Sequence, residues 1–176
     1  TRRGPRSIPR ARDDAPIGAL SRVTRALDRV ARRGRISRGR RVWITEFGFQ
    51  TNPPDRFQIP IRRVPGYMDY SEYLAFRSGR VSSYAQYTLF DVALSGSGPG
   101  RFSDFQQGLR FASGARKPGV YLAWQMPMYV RARRGRLGVF GGLRSGAPGT
   151  RVALSVRGRG RYRSLGSARL NSAGYF

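Results

Sequence analysis

The chain is 176 residues long and 39% hydrophobic, enough to bury a core and too much for wholesale disorder. Its formal charge of +25, from 34 basic and 9 acidic residues, points first to nucleic acid. With no cysteine, no histidine and no apolar run of about 18 residues, it excludes disulfides, thiol nucleophiles, Cys/His zinc sites, a self-contained Ser-His-Asp triad and a transmembrane helix.

Residues 1–16, rich in Arg and Pro, show no period and read as a loop. They are basic but precede no apolar stretch, so they are not a signal peptide, and without an initial Met the chain reads as starting inside something larger. From Pro16 on, Ile17, Leu20, Val23, Leu27 and Val30 recur at helical spacing. They predict an amphipathic helix of about 16 residues, with Asp13 and Asp14 as cap candidates and Gly34 as its stop. Residues 42–48 (VWITEFG) are apolar on both parities, as expected of a strand buried on both faces of a parallel sheet. Val42, Ile44 and Glu46 share one face, and Trp43, on the other, is expected to pack against a helix. A loop over 50–55 follows.

Tyr67, Tyr70 and Leu74 predict a second helix ending near Arg77, with Pro65 and Gly66 interrupting its start. Residues 81–89 (VSSYAQYTL) read as a second strand, with Val81, Ser83, Ala85, Tyr87 and Leu89 on one parity. A Gly/Ser/Pro loop runs over 95–103, residues 105–111 are ambiguous, and 118–125 read as a third helix running up to Pro127. Helices alternating with strands over connections this long are the pattern of a parallel sheet or barrel. Two strands close neither, so the unit is incomplete unless other chain supplies the rest. After Arg136 the pattern changes to short alternating runs between Gly-, Pro- and Ser-rich turns, which predicts antiparallel β and the start of a sandwich.

The charge is unevenly placed. Residues 1–41 hold 14 basic and 3 acidic residues, 42–130 hold 9 and 6, and 131–176 hold 11 and none. Lys117 is the only lysine. Phosphate binders usually mix lysine, a point charge, with arginine, a fork. An almost lysine-free chain reads instead as a GC-rich coding bias acting on exposed positions, and no specific nucleic-acid partner is expected. The run Arg157-Gly158-Arg159-Gly160-Arg161 resembles the Arg-Gly segments of RNA binders, but between two strand-like runs it fits a hairpin turn better.

Glu46 is the residue that carries chemistry. It closes an otherwise apolar strand, where a carboxylate costs desolvation unless a function or a partner compensates. WITEFGF, residues 43–49, resembles the nucleophile strand of the cellulase-like retaining glycoside hydrolases of clan A, in which a Glu ends the seventh barrel strand. Tyr87-Thr88-Leu89-Phe90-Asp91 resembles the eighth strand, with Tyr87 where that superfamily usually has Trp as the floor of a sugar subsite. The longer order ITEFGFQTNPPD, YAQYTLFD, GLRF and KPGVYLAWQMPMYV, with a terminal N-x-x-G-Y-F, resembles actinobacterial glycosyl hydrolases over roughly residues 16–176.

That resemblance implies an α/β fold, the C-terminal part of a (β/α)8 barrel over 1–133 with about two strands and three helices, followed by a partial Ig-like β-sandwich over 134–176. It implies Glu46 as nucleophile, Tyr87 at the sugar, Gln50 and Asn52 as candidates to hydrogen-bond sugar hydroxyls, and no metal or other cofactor. The substrate would be a poly- or oligosaccharide met outside the cell or at its surface. The chain's only other glutamate, Glu72, follows no Asn as the superfamily's acid/base does. That residue is therefore expected upstream with the remainder of the barrel, and the chain alone is expected to be inactive. Asp91 could orient a neighbour or bind an arginine. The alternatives are a non-catalytic carbohydrate- or cell-surface-binding module, favoured if Glu46 is buried in a salt bridge with no cleft above it, and an arginine-rich nucleic-acid binder.

Overall fold

The apolar stripe from Ile17 to Val30 forms the expected helix. In a computed structural model of the chain, which describes residues 4–102 and 104–176, a short 3-10 turn (Ile17–Ala19) leads into α1 (Leu20–Arg32). Only Leu20 is buried, however, and Val30 is exposed. Neither Asp13 nor Asp14 caps the helix by its side chain; the Arg22 guanidinium instead donates to the carbonyls of Pro9, Ala11 and Asp14. Gly34 ends the helix at φ +71° with its N–H donating to Ala31, a conformation a Cβ would penalise.

Next come β1 (Val42–Phe47), the two-residue strands β2 (Thr51–Asn52) and β3 (Ile59–Pro60), and α2 (Val64–Arg77). Pro65 does not break α2, because it sits in the first turn, where its missing N–H would have had no partner. Val64, Met68, Ser71, Glu72 and Ala75 form its buried face at helical spacing. Then β4 (Val81–Gln86) pairs parallel with β1, making a β–α–β unit, and α3 (Val120–Gln125) follows a long irregular stretch. The 95–103 loop holds a 3-10 turn (Pro99–Phe102), and Ser103 lies outside the described residues, as do residues 1–3 of the N-terminal loop. Phe49, Ile59, Val64, Met68, Leu109 and Val120 make the core, with Phe47, Tyr67 and Trp124 packed on it. Each such side chain, fully buried, contributes roughly 1.5–3 kcal/mol.

The chain divides into two compact units, Thr1–Trp124 and Gln125–Phe176. The second holds two hairpins: β5 (Met128–Arg133) with β6 (Arg136–Gly141), and β7 (Arg151–Arg157) with β8 (Tyr162–Arg169). Arg157 of the Arg-Gly run ends β7, and the rest of the run, 158–161, is the turn to β8.

The expected barrel and sandwich do not form. Among the described residues the eight strands fall into four separate two-stranded sheets, and no barrel closes. Among the described residues β4 has no neighbour but β1, and just past it Thr88 takes φ +64°, where the extended backbone stops. Trp43, expected beneath a helix, is 70% exposed and lines an open cleft instead. The hairpins likewise lack a facing sheet: Met128, Val130 and Leu137, which a sandwich would bury, are all exposed. Alternation specified strands and turns here, but a second layer needs more apolar surface than these hairpins offer. Among the described residues no helix is long and apolar enough to cross a membrane.

Candidate functional site

Because β1 and β4 are parallel, their carboxyl ends lie side by side, the end at which open α/β sheets collect ligands. Glu46 is the penultimate residue of β1. Ile44 faces Tyr84 and Phe47 faces Gln86, so β1 advances three residues while β4 advances two. The extra residue is a bulge at Thr45–Glu46, a device that re-aims side chains and recurs beside active sites. Its effect shows in the alternation. Val42 and Ile44 are half-buried, Trp43 and Thr45 exposed, and Glu46 is exposed too, out of phase with the face that simple parity assigns it. Phe47 then turns inward against Phe49 and Tyr84.

Glu46 borders a cleft of about 620 Å³ between β1 and the segment that carries Pro16, Leu20 and Val23. It forms no ion pair among the described residues. Glu72 is buried within α2.

The other expected site residues are placed as follows. Tyr87 follows β4, donates its N–H to Phe47 O at 2.8 Å, and is half-buried with its ring edge-to-face on Phe105 at 5.2 Å. Gln50 uses both ends of its amide on backbone: Nε2 donates to Asp104 O at 3.1 Å, and Oε1 accepts from Gln106 N. Asn52 donates to Arg56 O at 3.4 Å across its own turn. The β1 end thus brings Glu46 and Tyr87 to neighbouring strand ends, while Gln50 holds the 104–106 segment beside them.

Sequence reasoning missed a second constellation. Lys117, the only lysine, is fully buried and donates to Asp91 Oδ1 at 2.7 Å, Thr51 Oγ1 at 2.7 Å and Gln106 O at 2.8 Å. Three ammonium hydrogens meet three acceptors. Asp91 Oδ1 also accepts from Gly108 N, while its Oδ2 is buried without a donor among the described residues. Burial pushes the Asp91 carboxyl above its ordinary range and the Lys117 ammonium below its own, each opposed by the hydrogen bond and charge of the other. No substrate reaches a lysine this enclosed. Thr51 lies four residues beyond the end of β1 and Asp91 four beyond Tyr87, so the ammonium ties together the segments leaving the two strand ends.

Gly108 permits this closure. A Cβ there would overlap the backbone of Phe90 and Asp91. Gly108→Ala is therefore expected to lower stability by about 1–3 kcal/mol through backbone displacement, and thermal unfolding reads the loss. An unchanged melting temperature would show that the 108 backbone has room to yield.

Compared with protein-family models, with curated proteins and with solved structures, the chain gives no significant match in any of the three.

Proposed function

We propose that these residues carry the nucleophile of a retaining glycoside hydrolase, with Glu46 as the attacking carboxylate. The observation that carries this reading is the state of Glu46: exposed on a strand bulge, beside a cleft, and without an ion pair among the described residues in a chain of charge +25. A carboxylate kept only for stability would close on one of so many arginines. A nucleophile has to stay open to the sugar. The same observation weighs against the non-catalytic module, which called for Glu46 buried in a salt bridge with no cleft.

In this reaction the Glu46 carboxylate attacks the anomeric carbon and the bond to the leaving sugar oxygen breaks, giving a glycosyl ester. A second carboxyl group, about 5–5.5 Å from the first, protonates that oxygen, then takes a proton from water as the water oxygen attacks the ester's anomeric carbon and frees Glu46. With Glu72 buried in α2, the second carboxyl is assigned to residues outside these 176. Tyr87, at the neighbouring strand end, is the candidate surface for a sugar ring. The substrate is a β-linked poly- or oligosaccharide met outside the cell or at its surface, and the chemistry needs no cofactor.

The chain alone is expected to turn over no glycoside. The natural polypeptide containing it, treated with a panel of 2-deoxy-2-fluoroglycosyl fluorides, is expected to gain one glycosyl group on the peptide bearing Glu46. Fluoride leaves without acid assistance, so the test isolates the nucleophile. A label on a different carboxylate, or none from any sugar in the panel, removes Glu46 from the role.

A further inference from the structure

The Gln125–Phe176 unit contains eleven arginines and no Asp or Glu. Eight of the eleven cluster at the ends of its two hairpins. Arg131, Arg133, Arg134 and Arg136 surround the β5–β6 turn; Arg157, Arg159, Arg161 and Arg163 surround the β7–β8 turn. All eight are exposed, and none of their guanidinium groups makes a hydrogen bond or ion pair among the described residues. With no carboxylate side chain in the unit, these guanidiniums can be neutralised only from outside it.

Coding bias does not account for this placement. Arg134 sits at φ +49°, followed by Gly135 at +74°, in the two-residue turn joining β5 to β6. Turns of this kind favour Gly, Asn or Asp at both positions, and an arginine held there costs local strain. Glycine codons are as GC-rich as arginine codons, and the chain uses 23 glycines, so bias alone would as readily have supplied the relaxed residue. Crowding four like charges at each tip also carries a repulsive cost at low ionic strength, which a polyanionic partner would relieve.

We infer that each arginine-crowded hairpin tip is a docking point for a carboxylate-bearing polysaccharide. Guanidinium forks match carboxylates in bidentate geometry. The exposed hydroxyls of Ser155, Ser164 and Ser167 on the β7–β8 ribbon can meet sugar hydroxyls. Single-stranded nucleic acid instead calls for a series of stacking aromatics, and Tyr162 alone among the unit's aromatics is exposed. Base-edge readout in a duplex draws on Asn and Gln beside Arg, and neither stands at the tips. These docking points are independent of Glu46 and of any glycosidase activity.

The test is binding of the intact chain to polygalacturonate at low and physiological ionic strength, with a neutral glucan and a mixed-sequence DNA duplex in parallel. Binding is expected to polygalacturonate, weakening with salt, and not to the glucan. Replacing Arg157, Arg159, Arg161 and Arg163 together by Ser is expected to reduce affinity about tenfold or more, as is the equivalent change at Arg131, Arg133, Arg134 and Arg136. The same charge removed from exposed α1 and its end, at Arg25, Arg29, Arg32 and Arg33, is expected to cost far less. Melting temperatures confirm that each variant is folded. Equal losses from tip and α1 variants would overturn the assignment to the tips. Binding to the duplex as tight as to polygalacturonate would overturn the polysaccharide in favour of nucleic acid, and no binding to polygalacturonate would overturn the proposal outright.

Discussion

Replacing Lys117 by methionine is expected to destabilise the chain by about 3–5 kcal/mol, the cost of leaving a buried charge without its partner. The variant keeps the aliphatic volume but leaves Asp91 facing its burial alone, and strips Thr51 Oγ1 and Gln106 O of a donor. Lys117→Arg is not expected to rescue it, since a planar fork cannot aim three hydrogens at three acceptors converging on one point. Lys117→Met combined with Asp91→Asn is expected to recover most of the loss. It buries no charge and keeps an acceptor for Gly108 N, and well-packed neutral replacements of buried pairs are often close to neutral.

The pH dependence follows from the same pair. Asp91 is raised from 3.8, so its native state holds the proton to higher pH than the unfolded state does. Its contribution is whole below 3.8 and is lost as pH rises through the folded value. Lys117 is lowered from 10.5, so its contribution is whole above 10.5 and is lost as pH falls through the folded value. In the native state the two groups depend on each other through their 2.7 Å contact. The penalty of Lys117→Met should therefore shrink as pH falls toward 3.8, where Asp91 becomes neutral in both states. Urea unfolding across that range measures it, and a penalty independent of pH would mean the loss is one of packing alone.

Glu46→Gln is the second large effect. In the natural polypeptide that carries these residues, kcat is expected to fall on the order of 10⁴ to 10⁶-fold, the scale seen when a covalent nucleophile is removed. Stability should move by no more than about 0.5 kcal/mol, because the side chain is exposed and without an ion pair. Steady-state kinetics beside a melting curve separate the two. A large loss of stability with little loss of turnover would make Glu46 structural.

Local elements were legible because each was written at its own period. The stripe through Leu20, Val23 and Leu27 gave α1, the apolar run through Ile44 gave β1, and the Gly-spaced runs after Arg136 gave hairpins. Fold class was not legible, because partnership between strands is non-local. Two strands with a helix between them announce a β–α–β unit and say nothing of how many neighbours stand beyond it. Parity also misled at Glu46, since one inserted residue reverses the face of all that follows. The Lys117 network left a trace of another kind. A chain that writes arginine at 33 of 34 basic positions and lysine at one marks a place where a fork does not fit. Asp91, considered only as an orienting or arginine-binding group, turned out to be that lysine's partner.

The four two-stranded sheets have a consequence for handling the protein. Among the described residues β1 pairs with β4 alone, which leaves its other ladder side unmatched next to an exposed Trp43. Such borders invite strands from other copies. At low ionic strength the charge of +25 holds copies apart. Molar salt, by cutting the screening length from about 10 Å at 0.1 M to about 3 Å, removes that protection. Turbidity or light scattering should therefore rise with added salt, the reverse of the salting-in expected of a basic protein whose sheets are sealed.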